Sequence, residues 1–333
     1  MIRICLIGCG SIAFAAHGPA LSRLQSEGIA ELIACCDMDT AKAESFRQKF
    51  GFTRAYSDYE MMLDTEKPNA VFTLLPVWYN AACAIRTLEL GYPVIMEKPP
   101  GVSAREARAI AAAAQDHNLY HAVLFNRRSM PLVQLLKEKL AEERVVAVSL
   151  EMCREGRSEK DFTTTAIHGI DCLRHLFGDF RKLSLDYEVD TVRGNVDYFA
   201  HGSLESGAHV DMRFLPCAGA VTERISVYTT GKQFYLNLPV WSGTTYLRGF
   251  DFPGSLVCAE KECETMRIMG SELSNSEDGF VLNGFYEEDK RIIKAIEGGE
   301  LTVFPVSAFL QSVEISYALR NRQPHYARGE QGK

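Results

Sequence analysis

Apolar residues occur first in short unbroken runs and later in alternating ones, and this change divides the chain. Residues 1–7, 29–36, 70–75, 94–96 and 120–125 are nearly continuous apolar stretches, which predict strands buried on both faces. Between them lie segments with helical spacing at 14–27, 40–50, 59–64, 80–90 and 103–117. Asp39 stands at a capping position, Gly91 closes a helix, and Ser103 with Glu106 forms the pattern of a capping box. Strands joined by single helices make parallel βαβ units, so this region reads as a doubly wound α/β sheet. Past residue 125 the period changes. Helices are predicted over 131–143 and 162–177, with a strand over 145–153 between them. Alternating runs follow at 182–189, 196–204, 208–215, 222–229 and 233–238, then a helix at 287–297. These imply a C-terminal α/β domain with an open, mostly antiparallel sheet. The predicted boundary separates residues 1–123 from 124–333.

Composition narrows the classes. The 333 residues are 47 % hydrophobic and 24 % charged, which suits a globular chain with a substantial core. A net charge of −7 argues against a general affinity for nucleic acid or anionic membrane. No apolar run approaches the ~20 residues of a membrane span, and the first strand leaves no room for a signal peptide. Ten cysteines with no C-x-x-C pair read as reduced thiols, and the expected location is cytoplasmic. The polar end at 328–333 is expected to fray.

The first strand runs into Gly8-Cys9-Gly10-Ser11-Ile12-Ala13, and a helix opens there. Gly8 permits a sharp bend, Gly10 has no Cβ to block a diphosphate, and Ala13 lets the helix lie close to the sheet. The second strand ends at Asp37, roughly 20 residues beyond the loop, where a ribose 2′-hydroxyl is bound in dinucleotide folds. Its carboxylate favours NAD over NADP, since it accepts from a hydroxyl and repels a phosphate. Such sheets bind ligands at the carboxyl ends of their strands, an edge that here carries Gly8, Gly10, Asp37, Pro76, Glu97, Lys98 and Asn126. Trp78 and Tyr79 follow Pro76 and either wall a cofactor or simply pack. Lys98 ends a buried strand, where desolvation lowers an ammonium pKa and suits it to carry a proton.

On the helix at 162–177, Ile167, Ile170, Leu173 and Phe177 form an apolar stripe. Thr164, His168, Asp171 and His175 share the other side. His168 is the acid/base or hydrogen-bonding candidate. Asp171 and His175 at i+3 and i+7 would also place metal ligands on one face, but no metal is expected. Arg154, Arg157 and Lys160 form a basic loop that reads as a solvated face or as a hold for an anionic group.

Gly91-Tyr92-Pro93-Val94-Ile95 followed by Met96-Glu97-Lys98-Pro99 resembles the signature of the glucose–fructose oxidoreductase / inositol dehydrogenase (Gfo/Idh/MocA) family. The glycine-rich loop, Pro76, Asn126-Arg127-Arg128, Ile167-His168-Gly169-Ile170-Asp171 and the stretch at 285–299 extend the likeness over most of the chain. The resemblance implies a nucleotide-binding domain, a second domain with an open antiparallel sheet, and NAD(P)-dependent redox chemistry at a carbinol or ketone of a sugar or cyclitol. It implies a cis Lys98–Pro99 bond that turns Lys98 toward the nicotinamide, with Lys98 and His168 catalytic. Gly8, Gly10, Ser11, Ile12, Asp37, Pro76, Asn80, Glu97, Lys98 and Asn126 would hold the cofactor. Lys98, Arg128, Thr164, His168 and Asp171 would meet the substrate, and the chain would form a homodimer or homotetramer. Two positions depart from the family pattern: Thr164 replaces an acid one turn before His168, and Asn80 replaces a histidine. Two other readings use the same fold, a silent dinucleotide sensor and a reductase of an imine or conjugated double bond.

Overall fold

The computed structural model describes residues 1–157, 161–192, 194–239, 253–300 and 303–329. Lys160 of the basic loop and the last four residues of the polar end lie outside these. The chain forms two compact units, one of Met1–Asn126 with Gly284–Val313 and one of Arg127–Asn283 with Glu314–Lys333. The predicted boundary assigns residues 284–313 to the second domain, whereas they pack with the first unit.

The first unit is built on a parallel sheet of β1 (Ile2–Ile7), β2 (Ala30–Cys36), β3 (Arg54–Tyr56), β4 (Ala70–Thr73), β5 (Val94–Glu97) and β6 (His121–Leu124). Their order is β3-β2-β1-β4-β5-β6, so the winding direction reverses between β1 and β4. That reversal opens the crevice where doubly wound sheets bind ligands. Every residue of β4 and β5 is buried, as their unbroken apolar sequences require. In register, Ile7 lies beside both Cys36 and Thr73, which aligns the strand ends on one edge. β3 has three residues and too little pattern to be predicted.

Two capping predictions can be checked atom by atom. Asp39 accepts from the N–H groups of Ala41 and Lys42 at the start of Thr40–Phe50. Ser103 accepts from Glu106 N at 3.3 Å, while the Glu106 carboxylate reaches back to Val102 N rather than Ser103 N. The helix after the glycine-rich loop differs from its prediction. After opening at Ser11 and Ile12 it passes through a π-helical turn, Ala13–His17, in which Gly18 N–H bonds to Ala13 O, and continues as an α-helix over Gly18–Ser26. Pro19 has no N–H for the regular ladder, and the wider turn ends just before it. Phe285–Gly298 packs on this helix: the Tyr286 hydroxyl bonds to Glu27, and the Arg23 guanidinium lies 4.4 Å from the Tyr286 ring centre.

The second unit holds a nine-stranded sheet of β7 (Val145–Cys153), β8 (Phe180–Val189), β9 (Val196–Leu204), β10 (His209–Leu215), β11 (Thr222–Thr229), β12 (Gln233–Asn237), β13 (Ser255–Glu260), β14 (Cys263–Met269) and β15 (His325–Ala327). The order is β14-β13-β12-β11-β7-β10-β9-β8-β15. Pairing is antiparallel except between β7 and β10, so the sheet is mixed but mostly antiparallel. The last three strands have no counterpart among the predicted elements. The turn from β13 to β14 passes through Lys261 at φ +55° and carries no glycine, proline or asparagine to announce it. Helix Thr163–Phe177 lies on the sheet at Gly169, where an added Cβ would come within 2.6 Å of Leu150. Its buried Ile170 and Leu173 join Leu150, Met152, Phe214 and Ile225 in one core.

Candidate functional site

At the reversal edge of the first unit, Gly8 has φ +98°, and an added Cβ would sit 2.6 Å from Leu74 O. Only glycine fits there. Gly10 is the opposite case, since nothing lies within 4 Å of an added Cβ. The helix opening at Ser11 presents its first-turn N–H groups beside that open space, an arrangement suited to a diphosphate. Asp37 follows β2. One carboxylate oxygen accepts from Cys9 N at 2.9 Å and the other from Asp39 N at 2.9 Å. The acid is therefore held against the loop, and each oxygen keeps a lone pair for a ribose hydroxyl. Ser11 is exposed and Ile12 half-buried, while Trp78 and Tyr79 are exposed on the helix headed by Pro76. These residues fit a dinucleotide.

The end of β5 is held from several sides. The Lys98–Pro99 peptide is cis. Lys98 N donates to Glu97 Oε2 at 3.0 Å, and Asn80 Nδ2 donates to the Glu97 carbonyl at 2.5 Å. Asn80 is fully buried and also accepts from Thr73 Oγ1 at 3.1 Å. Its amide thus ties β4 to the Glu97–Lys98 peptide. Asn126 is buried just beyond β6.

Beneath Glu97 lies a buried charge cluster that no sequence motif announces. His17 Nε2 lies 3.2 Å from Glu97 Oε1, and His17 Nδ1 lies 3.0 Å from Asp289 Oδ2. Burial alone would push the imidazolium pKa down, but Asp289 and Glu97 outweigh it and hold it at about 10. Next to them, burial and the Asp289 charge push the Glu288 carboxyl well above its usual range. Glu288 Oε1 accepts from Phe125 N at 2.7 Å. The one available signal is a titratable residue at the end of the small apolar turn Ala13–His17.

In the second unit, His168 and Thr164 are half-buried on Thr163–Phe177, and Thr164 Oγ1 donates to Asp161 O at 3.0 Å. Asp171 is buried and forms a two-pronged pair with Arg128, at 2.7 and 2.8 Å. Arg128 and Asp171, both expected as substrate residues, thus satisfy each other's charge. Arg127 and Arg154 both grip the buried Glu223. Burial would raise the Glu223 carboxyl, but the two guanidinium groups bring it down to about 2. Arg154 is therefore part of a buried triad rather than a solvated loop. His175 Nε2 lies 3.1 Å from Gln134 Nε2. Among the described residues no group of His, Cys, Asp and Glu has the arrangement of a metal site. All ten cysteines are free thiols, and burial pushes that of Cys83 to about 11 and that of Cys172 to about 12.

Strand order, glycine-rich loop and acid after β2 together define a dinucleotide-binding type of Rossmann fold in the first unit. Residues 2–125 match the Gfo/Idh/MocA family, described as an oxidoreductase family with an NAD-binding Rossmann fold. D-glucoside 3-dehydrogenase of Escherichia coli is 28 % identical over 139 residues, 42 % of this chain and 39 % of that protein. Levoglucosan dehydrogenase of Pseudarthrobacter phenanthrenivorans is 31 % identical over 147 residues, 42 % of this chain and 37 % of that protein. The matches thus span well under two thirds of these relatives. A crystal structure of a Gfo/Idh/MocA family oxidoreductase from Vibrio cholerae has the same fold, with TM-score 0.79, 20 % identity, and coverage of 97 % of this chain and 98 % of that one. No described helix is long and apolar enough to cross a membrane.

Proposed function

We propose that the chain is an NAD-dependent dehydrogenase or reductase acting at a carbinol or ketone of a sugar- or cyclitol-like substrate. The observation that carries this reading is Lys98, seated at the carboxyl end of β5 in a sheet whose glycine-rich loop fits a dinucleotide. Gly8, Gly10, Ser11, Ile12 and Asp37 would hold the cofactor, and bound nicotinamide would supply the hydride acceptor or donor. Pro76, Glu97 and Asn126 line the same strand edge, with Asn80 setting the Glu97 carbonyl. Lys98 takes the hydroxyl proton in oxidation, returns it in reduction, and stabilises the developing alkoxide. His168 hydrogen-bonds the substrate hydroxyl, and Thr164 places a hydroxyl rather than a carboxylate one turn before it. Arg128 and Asp171 support that helix face as a pair. The sugar-oxidising relatives support the substrate class, and the Asp37 carboxylate supports NAD. The same reading takes the working form as a cytoplasmic homodimer or homotetramer.

The test is purified protein with NAD or NADP against methyl glucoside, levoglucosan, D-apiose and myo-inositol, following reduced-nicotinamide absorbance. Turnover with NAD is expected for at least one of them. Tight NADH binding without turnover on this panel would favour the sensor reading, and reduction of a cyclic imine alone would favour the other reductase.

A further inference from the structure

The Glu97–Lys98 peptide is bound at both of its polar atoms: Asn80 holds the carbonyl, and the Glu97 carboxylate holds the Lys98 N–H. That carboxylate has a second oxygen, and His17 takes it. We propose that His17 is a positioning residue for Lys98, acting through the carboxylate that it shares with the Lys98 backbone. This rests on the reading of Lys98 as the proton carrier.

The geometry is restrictive. His17 is fully buried and has a carboxylate at each ring nitrogen, so both nitrogens must donate. A neutral ring would turn a lone pair toward one of the two acids. With the imidazolium in place, Glu97 is fixed from below and its remaining oxygen is left for Lys98 N. The groups around His17 are Glu97 on β5, Asp289 and Glu288 on Phe285–Gly298, and Lys98 following Glu97. The Phe72 and Phe285 rings pack on it at 6.1 and 5.2 Å between centres. Glu288 Oε2 has no hydrogen-bond partner among the described groups. One cation therefore orders two anions, and the anion nearer the strand end orders the lysine. A shift of about 1 Å in a reacting group costs up to ~10²-fold in rate, so loosening Glu97 has a kinetic consequence.

The experiment uses the full chain as wild type, His17→Asn and Glu97→Gln, with lysines ¹³C-dimethylated and the Lys98 resonance assigned by its loss in Lys98→Arg. NADH affinity is read by fluorescence and turnover with NAD on the sugar panel. Both variants are expected to displace the Lys98 resonance while other lysine signals stay and to lower turnover ~100-fold, and His17→Asn, which lies outside the cofactor residues, is expected to leave NADH affinity within about threefold. Folded variants with the Lys98 signal in its wild-type place would overturn the proposal. So would equal losses of turnover, NADH affinity and melting temperature without displacement. Should His17→Asn fail to fold, the near-isosteric Glu97→Gln decides the question, and unfolding of both would make the role structural and overturn the proposal. The resonance needs no turnover, so a fully active Lys98→Met would sink the role given to Lys98 separately from the His17 result.

Discussion

At the scale of single residues, the division of labour between Lys98 and the glycine-rich loop is open to measurement. Lys98→Met is expected to lower hydride transfer by the ~10²–10⁴-fold of a lost acid–base group, with NADH affinity within about threefold of wild type. Activity retained within a few-fold would remove Lys98 from the chemistry. The carboxylate of Asp37 is anchored by Cys9 N and Asp39 N, and Met38 beside it is 93 % exposed. Asp37→Ser combined with Met38→Arg removes the repulsion of a 2′-phosphate and adds an attraction, so the ratio of NADP to NAD efficiency is expected to rise. An unchanged ratio would mean that Asp37 does not face the ribose. Gly8, Asp37 and Lys98 are legible in the sequence because each belongs to a short motif whose meaning is local. His17 and Asp289 are not. Their significance lies in a contact between residues 272 positions apart, and neither residue alone differs from an ordinary helical histidine or aspartate.

Among elements, the early strands and helices follow from period and caps, since a strand buried on both faces leaves an unbroken apolar run. The π-turn is hidden because apolar spacing does not distinguish it from an α-helix, although Pro19 marks its end. β13 and β14 are silent in the sequence because Lys261 makes their turn with an unexceptional side chain. The pairing of β8 with β9 offers a direct check of sheet packing. Gly202 lies where an added Cβ would be 2.0 Å from Lys182 O, a backbone atom that cannot swing aside. Gly202→Ala is expected to destabilise the protein by about 1–3 kcal/mol in urea unfolding. A wild-type midpoint would mean that the two strands lie further apart than described.

For the molecule as a whole, the two units should lose stability at opposite ends of the pH scale. The folded pKa of His17 is raised to about 10 from an ordinary 6.5, so its contribution is fully present below 6.5 and is lost as pH rises through 10. Glu288, also raised, acts in the same direction. The folded pKa of Glu223 in the second unit is lowered to about 2 from 4.5, so its contribution is present above 4.5 and is lost as pH falls toward 2. Melting temperature followed from about pH 3 to about pH 10 should decline at both ends. Glu223→Gln should flatten the acid decline and keep the alkaline one, and an acid limb of unchanged slope would contradict the assignment. The split of the first unit into Met1–Asn126 and Gly284–Val313 also sets an order in time. During synthesis all six strands of the parallel sheet emerge early, yet the acid that holds His17 in its charged state leaves the ribosome 272 residues after His17 itself. Until then the nascent sheet lacks the carboxylate that, together with Glu97, raises the His17 pKa, so the buried charge cluster is completed only after residue 289 has been translated.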